Sequence, residues 1–398
     1  MRTYFFSLIL VVSFFSSCKT DFEINAPYEI TPVVYGVLDQ SLDTQYIKIN
    51  KAFLGSGNNI NYAAINDCTL FDSVLAVIEA YDNSGVLVDI DTLKEKIVVG
   101  IDPGIFYDDS QKVYYSTIPN RSQDYSGNYE FHLKVKAIPH VKWVDTDSVL
   151  DTLATHKLFS FNAITSLIED NYVANPFNEY NNNDLFDGNW YYGIITNGVS
   201  FADNNLSTPL DDDFEIEWDE TENGERYELV LRFHYIEQMT DLSTVSKYMD
   251  WNLGTKKTKD ALSDGFVKTV DGIRFYEMIS SNLDNYSLES QVLKRTFPAK
   301  PVEFILTVGN DILDTYMEVN EPVSGIVTER PIYTNINNDS YGTGAGIFAS
   351  KYQCSRRVKM SDGSILELCS GLITAQYKFC YDTTSALQVI NGYDVGCD

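Results

Sequence analysis

Four histidines, six cysteines and a surplus of carboxylates are what this chain of 398 residues has for building chemistry. His132, His140, His156 and His234 fall in no spacing that would set two imidazoles one helical turn apart on a metal, as HExxH does. No G-x-S-x-G elbow and no phosphate-cradling P-loop occurs. The run GTGAG at 342–346 lacks the third glycine of a dinucleotide loop, and no helical pattern follows it, so it reads as a turn. With 57 acidic residues, no single pair of carboxylates stands out as an acid and base. The stretch Asp184-Leu185-Phe186-Asp187-Gly188 and the triplet Asp211, Asp212, Asp213 could offer oxygens to Ca²⁺. Neither follows the calcium-loop pattern with its distal glutamate. Solvated loops are therefore the expectation, with no metal or other cofactor, calcium being the one ion those loops could take. These residues lead to the expectation of a non-enzymatic protein.

Composition narrows the class. At 44% hydrophobic the chain can bury more than one core, and about two domains are expected at this length. The formal charge is −28, from 29 basic and 57 acidic residues. No basic face is available to displace phosphate counterions, which argues against a nucleic-acid partner. It also argues against adsorption to an anionic membrane by charge alone. Tyrosine (27) and phenylalanine (22) are abundant, a composition that suits sheets better than helices.

The N-terminus reads as an export signal. Met1-Arg2 is a short positive region, and Tyr4 to Phe15 is apolar. That run is too short to span a bilayer as a helix, which needs about 20 residues. Ser16-Ser17-Cys18 resembles the lipobox of bacterial lipoproteins, in which the cysteine becomes the lipidated first residue, although Phe15 departs from the usual aliphatic residue. The resemblance implies a signal peptide over 1–17, a lipid (palmitate-type) anchor on Cys18 and a tether over 18–26. The tether residues Lys19, Thr20, Asp21, Phe22 and Glu23 resemble the acidic export signal of surface-exposed lipoproteins in Bacteroidota-type bacteria. An outer-membrane, outward-facing location is what that likeness implies.

Cysteine usage fits an oxidising compartment. Apart from Cys18 and Cys68, the cysteines Cys354, Cys369, Cys380 and Cys397 all lie near the C-terminus and form no CxxC pair. Two disulfides stapling a small terminal element are expected, with the connectivity open. The stretch CSRRVKMSDGSILELC reads as a hairpin turning at Asp362-Gly363, which favours Cys354 with Cys369. Cys68 is left as a small buried hydrophobe.

Period-two alternation dominates from Pro27 onward. In YEFHLKVKA, Tyr129, Phe131, Leu133, Val135 and Ala137 point one way and Glu130, His132, Lys134 and Lys136 the other. Strands recurring between Asn, Asp and Gly turns predict an N-terminal β-sandwich over 27–165. An Asn- and Asp-rich lapse near 165–188 marks a boundary. A second β-rich domain is expected over 185–350, where Phe214, Ile216 and Trp218 precede Tyr227, Leu229, Leu231, Phe233 and Tyr235 on one face. A short helix is expected at 271–283, capped by Asp271, and a Cys-rich hairpin or tail at 351–398. The fold class is thus all-β and mainly antiparallel, with two immunoglobulin- or fibronectin-like sandwiches, a minor helical insertion and a disulfide-stapled tail.

Two segments carry a family likeness. INAPYEITPVVYGVLDQSLDTQYIKINKAFLG (24–55) and PIYTNINNDSYGTGAGIFASKY (331–352) resemble the two ends of a Bacteroidota lipoprotein family known as domain of unknown function 4249. The likeness implies an outer-membrane lipoprotein of immunoglobulin-like architecture, often encoded near TonB-dependent receptors, and brings no catalytic residue. The expected role is an accessory subunit of an outer-membrane β-barrel complex, either a TonB-dependent transporter or a barrel-assembly or secretion machine. The alternative is a ligand- or glycan-binding lipoprotein that delivers nutrient to a transporter. Tyr180, Trp190, Tyr191 and Tyr192 are the expected contact residues in either case. Replacing Asp21, Phe22 and Glu23 with alanine is expected to preserve lipidation while hiding the protein from protease added to intact cells. Full accessibility of that variant would place the address elsewhere.

Overall fold

The computed structural model describes residues 31–52, 65–99, 110–120, 129–139, 158–168, 198–202, 213–218, 220–261, 265–284, 289–321, 332–338, 342–381, 389–390 and 393–397. The fold is mostly β. The first half supplies β1 (Pro32–Asp39), β2 (Gln45–Lys51), β3 (Phe71–Tyr81), β4 (Leu87–Thr92), β5 (Lys94–Val99), β6 (Ser110–Ser116), β7 (Glu130–Pro139) and β8 (Phe159–Ser166). The second supplies β9 (Phe214–Trp218), β10 (Arg226–Met239), β11 (Thr244–Lys257), β12 (Phe266–Val270), β13 (Val292–Thr296) and β14 (Val302–Gly309). After these come the short β15 (Asn337–Asn338) and β16 (Gly342–Thr343), the long β17 (Ala345–Val358), and β18 (Val389–Ile390) with β19 (Tyr393–Asp394). Among the described residues, three helices longer than two turns accompany them: α1 (Gly272–Leu283), α2 (Asp311–Asn320) and α3 (Asp362–Ser370), with a single helical turn at Asn66–Thr69.

A large sheet runs β11-β10-β14-β17-β1-β2-β6-β5, with β13 also paired to β10. A smaller one runs β16-β15-β8-β7-β3-β4, and β9-β12 and β18-β19 form two-stranded sheets. The strands of the large sheet come from both regions expected to be separate domains. They are joined by β1 lying parallel to β17, Val33 opposite Ala345 through Asp39 opposite Lys351. The other strand pairs in the sheets are antiparallel.

Alternation puts the expected faces inward. Phe131, Leu133, Val135 and Ala137 of β7 are buried, as are Tyr227, Leu229, Leu231, Phe233 and Tyr235 of β10. One core fills the space between β1, β2 and β6 of the large sheet and β3, β7 and β8 of the small one. The other collects β10, β14 and β17 beneath α1, α3 and the β9-β12 pair. Strand β17 serves both, giving Phe348 to the first and Tyr352, Cys354 and Val358 to the second. Helix α1 begins as expected, the Asp271 carboxylate accepting from the Ile273 N–H at 3.0 Å.

The C-terminal region differs from expectation. Strand β17 runs through the boundary expected at 350, because Tyr352, Cys354 and Val358 continue its buried face. Residues 362–370 are helix α3, not a hairpin turn. Ser361 caps it by accepting from the Ser364 N–H, and Ile365, Leu366 and Leu368 turn inward. Cys354 and Cys369 therefore sit on a strand and a helix and are thiols, as is Cys68. The disulfide joins Cys380 to Cys397.

Buried polar side chains stitch these layers together. Asn310 donates through Nδ2 to Thr165 Oγ1 at 2.9 Å and caps α2 by accepting from the Leu313 N–H at 3.1 Å. Ser350 donates to the Ser166 carbonyl at 2.6 Å, while Gln40 both donates to the Ile168 carbonyl and accepts from its N–H. Each link ties the end of β8 to the large sheet or its helix. Farther along, the fully buried Arg295 grips Glu237 through Nε and Nη2, at 3.0 and 2.9 Å, and donates to the Tyr377 carbonyl. Lys247 holds the other oxygen of Glu237 at 2.7 Å. Backbone bonds from Arg295 to Lys378 and from Cys380 to Arg295 lay the C-terminal segment along β13.

Gly346 permits the parallel pairing. Its φ is +89°, and a Cβ there would stand 1.9 Å from the Val34 carbonyl oxygen. Gly346→Ala should cost about 3 kcal/mol or more by denaturant unfolding, combining backbone strain with a clash against main chain. Gly85→Ala, at φ +75° with open space around it, should cost only about 1–2 kcal/mol.

Candidate functional site

Most residues singled out from the sequence lie outside the described residues. These are Cys18, Lys19, Thr20, Asp21, Phe22, Glu23, Tyr180, Trp190, Tyr191, Tyr192, His140, His156, Asp184, Asp187, Asp211 and Asp212. Asp213 is exposed. Among the described residues, no group of three His, Cys, Asp or Glu side chains is placed to hold a metal ion.

His234, Glu303, Ser355 and Arg357 meet on the outer face of the large sheet, on β10, β14 and β17. His234 Nε2 lies 2.7 Å from one Glu303 oxygen, and Ser355 donates to the other at 2.7 Å. Arg357 reaches His234 Nδ1 at 3.3 Å and Glu303 at 3.4 Å. The residue types are those of a hydrolytic triad, but the connections differ. A triad needs the imidazole to face the hydroxyl so that it can take its proton. Here both imidazole nitrogens are engaged elsewhere, and the hydroxyl points at the carboxylate. The cluster is a carboxylate clamp across three strands. Next to it, Arg232 grips Asp250 at 2.7 and 2.9 Å and lies 4.0 Å over the Tyr248 ring.

A second assembly occupies the outer face of β3, β7 and β8, where an open concavity of about 450 Å³ is lined by Leu75, His132, Lys134, Lys136, Asn162 and Ile164 among others. Register explains it: Leu75 lies opposite Lys136, Val77 opposite Lys134 and Glu79 opposite His132. Lys134 and Asn162, and His132 and Ile164, are opposed in turn. Lys134 donates to Glu79 at 2.6 Å, Tyr81 also donates to that carboxylate, and the Tyr81 and His132 rings stand 4.5 Å apart. Burial by itself would raise the Glu79 pKa. The bonds from Lys134 and Tyr81 outweigh it and hold the carboxyl below its usual range. Floor and rim combine aliphatic and hydrogen-bonding groups. The outward placement of His132, Lys134 and Lys136 was readable from the alternation of β7. Their neighbours on β3 and β8 became visible only with the register.

No protein-family model matches the chain, and no characterised protein matches it in sequence. The likeness to the lipoprotein family rests on the quoted segments alone.

Burial likewise pushes the Glu303 pKa upward, and the bonds from Ser355 and His234 with the Arg357 charge more than reverse it, leaving the carboxyl low. A lowered folded-state pKa gives stability that is complete above the ordinary value of 4.5 and lost as pH falls through the folded value. Glu303→Gln should therefore reduce stability at neutral pH and flatten the decline in acid. Denaturant midpoints measured across pH check this; parallel acid declines in both proteins would contradict it.

Proposed function

We propose that this protein is a non-enzymatic lipoprotein of the outer membrane, facing the cell exterior and acting as an accessory subunit of a β-barrel complex there, a TonB-dependent transporter or an assembly or secretion machine. The observation that carries the proposal is Cys18, which follows an apolar run and two serines and precedes an acidic tether. No described helix is long and apolar enough to cross a membrane. A lipid on Cys18 would confine the body beside its barrel, so a modest interface would suffice through raised effective concentration. Tyr180, Trp190, Tyr191 and Tyr192 remain the proposed contact residues. Association with a family of surface lipoproteins is part of the same proposal.

The concavity on β3, β7 and β8 favours a second reading, a glycan- or ligand-binding lipoprotein. Its size and mixed lining are those of a small-molecule site.

One set of measurements tests both readings. Cys18→Ser should abolish incorporation of labelled palmitate and release the protein from the membrane fraction. The wild-type chain, solubilised in mild detergent, should co-elute with an outer-membrane barrel protein. Elution alone, together with specific retention on a glycan array, would favour the second reading. Unchanged membrane retention and labelling of the serine variant would remove the basis of both.

A further inference from the structure

Charge is spread unevenly over the concave face of β3, β7 and β8. Its lining holds two lysines, Lys134 and Lys136, against one carboxylate, Glu79, in a chain whose net charge is −28. The two ammonium groups are not equivalent. Lys134 turns toward Glu79, 2.6 Å from a carboxylate oxygen, with the Tyr81 hydroxyl at 3.5 Å and the centre of the Tyr81 ring at 5.8 Å. His132 closes the same end, its Nε2 3.3 Å from Glu130 and its ring 4.5 Å from that of Tyr81. Opposite charges meet there, and the Lys134 ammonium is committed to Glu79.

Lys136 lies two residues farther along β7 on the same face, about 7 Å away along the strand. It is exposed, and among the described residues no carboxylate pairs with it. Register sets Leu75 directly opposite it on one side and Ser160 on the other. Directly opposed residues on one face of an antiparallel pair have Cβ atoms about 5 Å apart. A cation, a hydroxyl and an aliphatic side chain that is 57% exposed are thus held side by side, with Val77 next along β3.

An ammonium group beside a hydroxyl suits an anion that can accept hydrogen bonds from both. Leu75 and Val77 supply an apolar surface for the rest of the molecule. A singly charged carboxylate fits better than a phosphate dianion. The second lysine is taken by Glu79, and the field of so acidic a chain opposes further negative charge.

Resting on the ligand-binding reading of this concavity, we propose that it takes a small carboxylate, with the anionic group on Lys136 and Ser160 and the apolar side on Leu75 and Val77. Carboxylated sugars and short aliphatic acids share this chemistry, since each joins one carboxylate to a body rich in C–H groups.

Saturation-transfer NMR titrations of the full chain in mild detergent test the proposal. The probes are D-glucuronate against D-glucuronamide, butyrate against butyramide, and inorganic phosphate; each amide keeps the shape of its acid and removes the charge. At least one acid should bind about tenfold more tightly than its amide, and which acid does so identifies the source. Lys136→Gln should abolish that preference and Lys136→Arg should keep it, with circular dichroism confirming that both variants are folded. Acid and amide binding equally well would overturn the carboxylate assignment and leave the ligand-binding reading standing. A preference that survives Lys136→Gln, or phosphate binding more tightly than either acid, would do the same. If none of the probes binds, the assignment and the reading beneath it both fall.

Discussion

The parallel alignment of β1 with β17 is the constraint on which the rest of the molecule depends. Seven residues of the first strand lie beside seven of the last long one, in unbroken register. Removing that pairing would leave two half-sheets with open edges and would divide the face that β17 presents to both cores. The pairing also decides what lies next to what elsewhere. With β17 at the centre, Asn310 and Ser350 are brought to the end of β8, and the small sheet can close over β1, β2 and β6. Asn335 adds to this by accepting from the Phe348 N–H at 2.9 Å and donating to the Phe348 and Ile164 carbonyls.

Because the layers are joined by hydrogen bonds from side chains with little or no exposure, their alignment is specified and not only favoured. Apolar packing tolerates sliding, whereas a buried amide left without its partner costs about 1–3 kcal/mol. Gln45 illustrates this, its Nε2 donating to the Asp39 and Pro119 carbonyls and its Oε1 accepting from the Asp39 N–H. Arg295 and Glu237 do the same for the C-terminal segment. Ion pairs this deep are weak contributors to net stability but severe when broken, since the remaining charge has no solvent.

Local pattern made much of this legible. Alternation in β7 and β10 and the Asp271 cap of α1 each depend on neighbours close in sequence, and each is read directly from residue types. The outward placement of His132 and His234 follows from the same periodicity. The pairing of β1 with β17 does not, because nothing in either strand names a partner so far along the chain. The turn read at Asp362-Gly363 shows another limit. Asp-Gly is a hairpin signal, but Ser361 before it is equally a helix cap, and Ile365, Leu366 and Leu368 gave the helix a face to bury. The concave face on β3, β7 and β8 is a product of register, and register is a property of the assembled sheet.

The placement of β1 beside β17 also has a consequence in time. A chain synthesised from its N-terminus delivers β1 first, and its partner follows over three hundred residues later. Until then one edge of β1 has no strand to meet, and the central sheet cannot close. Such long-range closure is slow to form. Completion of the central sheet is consequently tied to the arrival of β17, so that a product truncated before Ala345 lacks the keystone of that sheet.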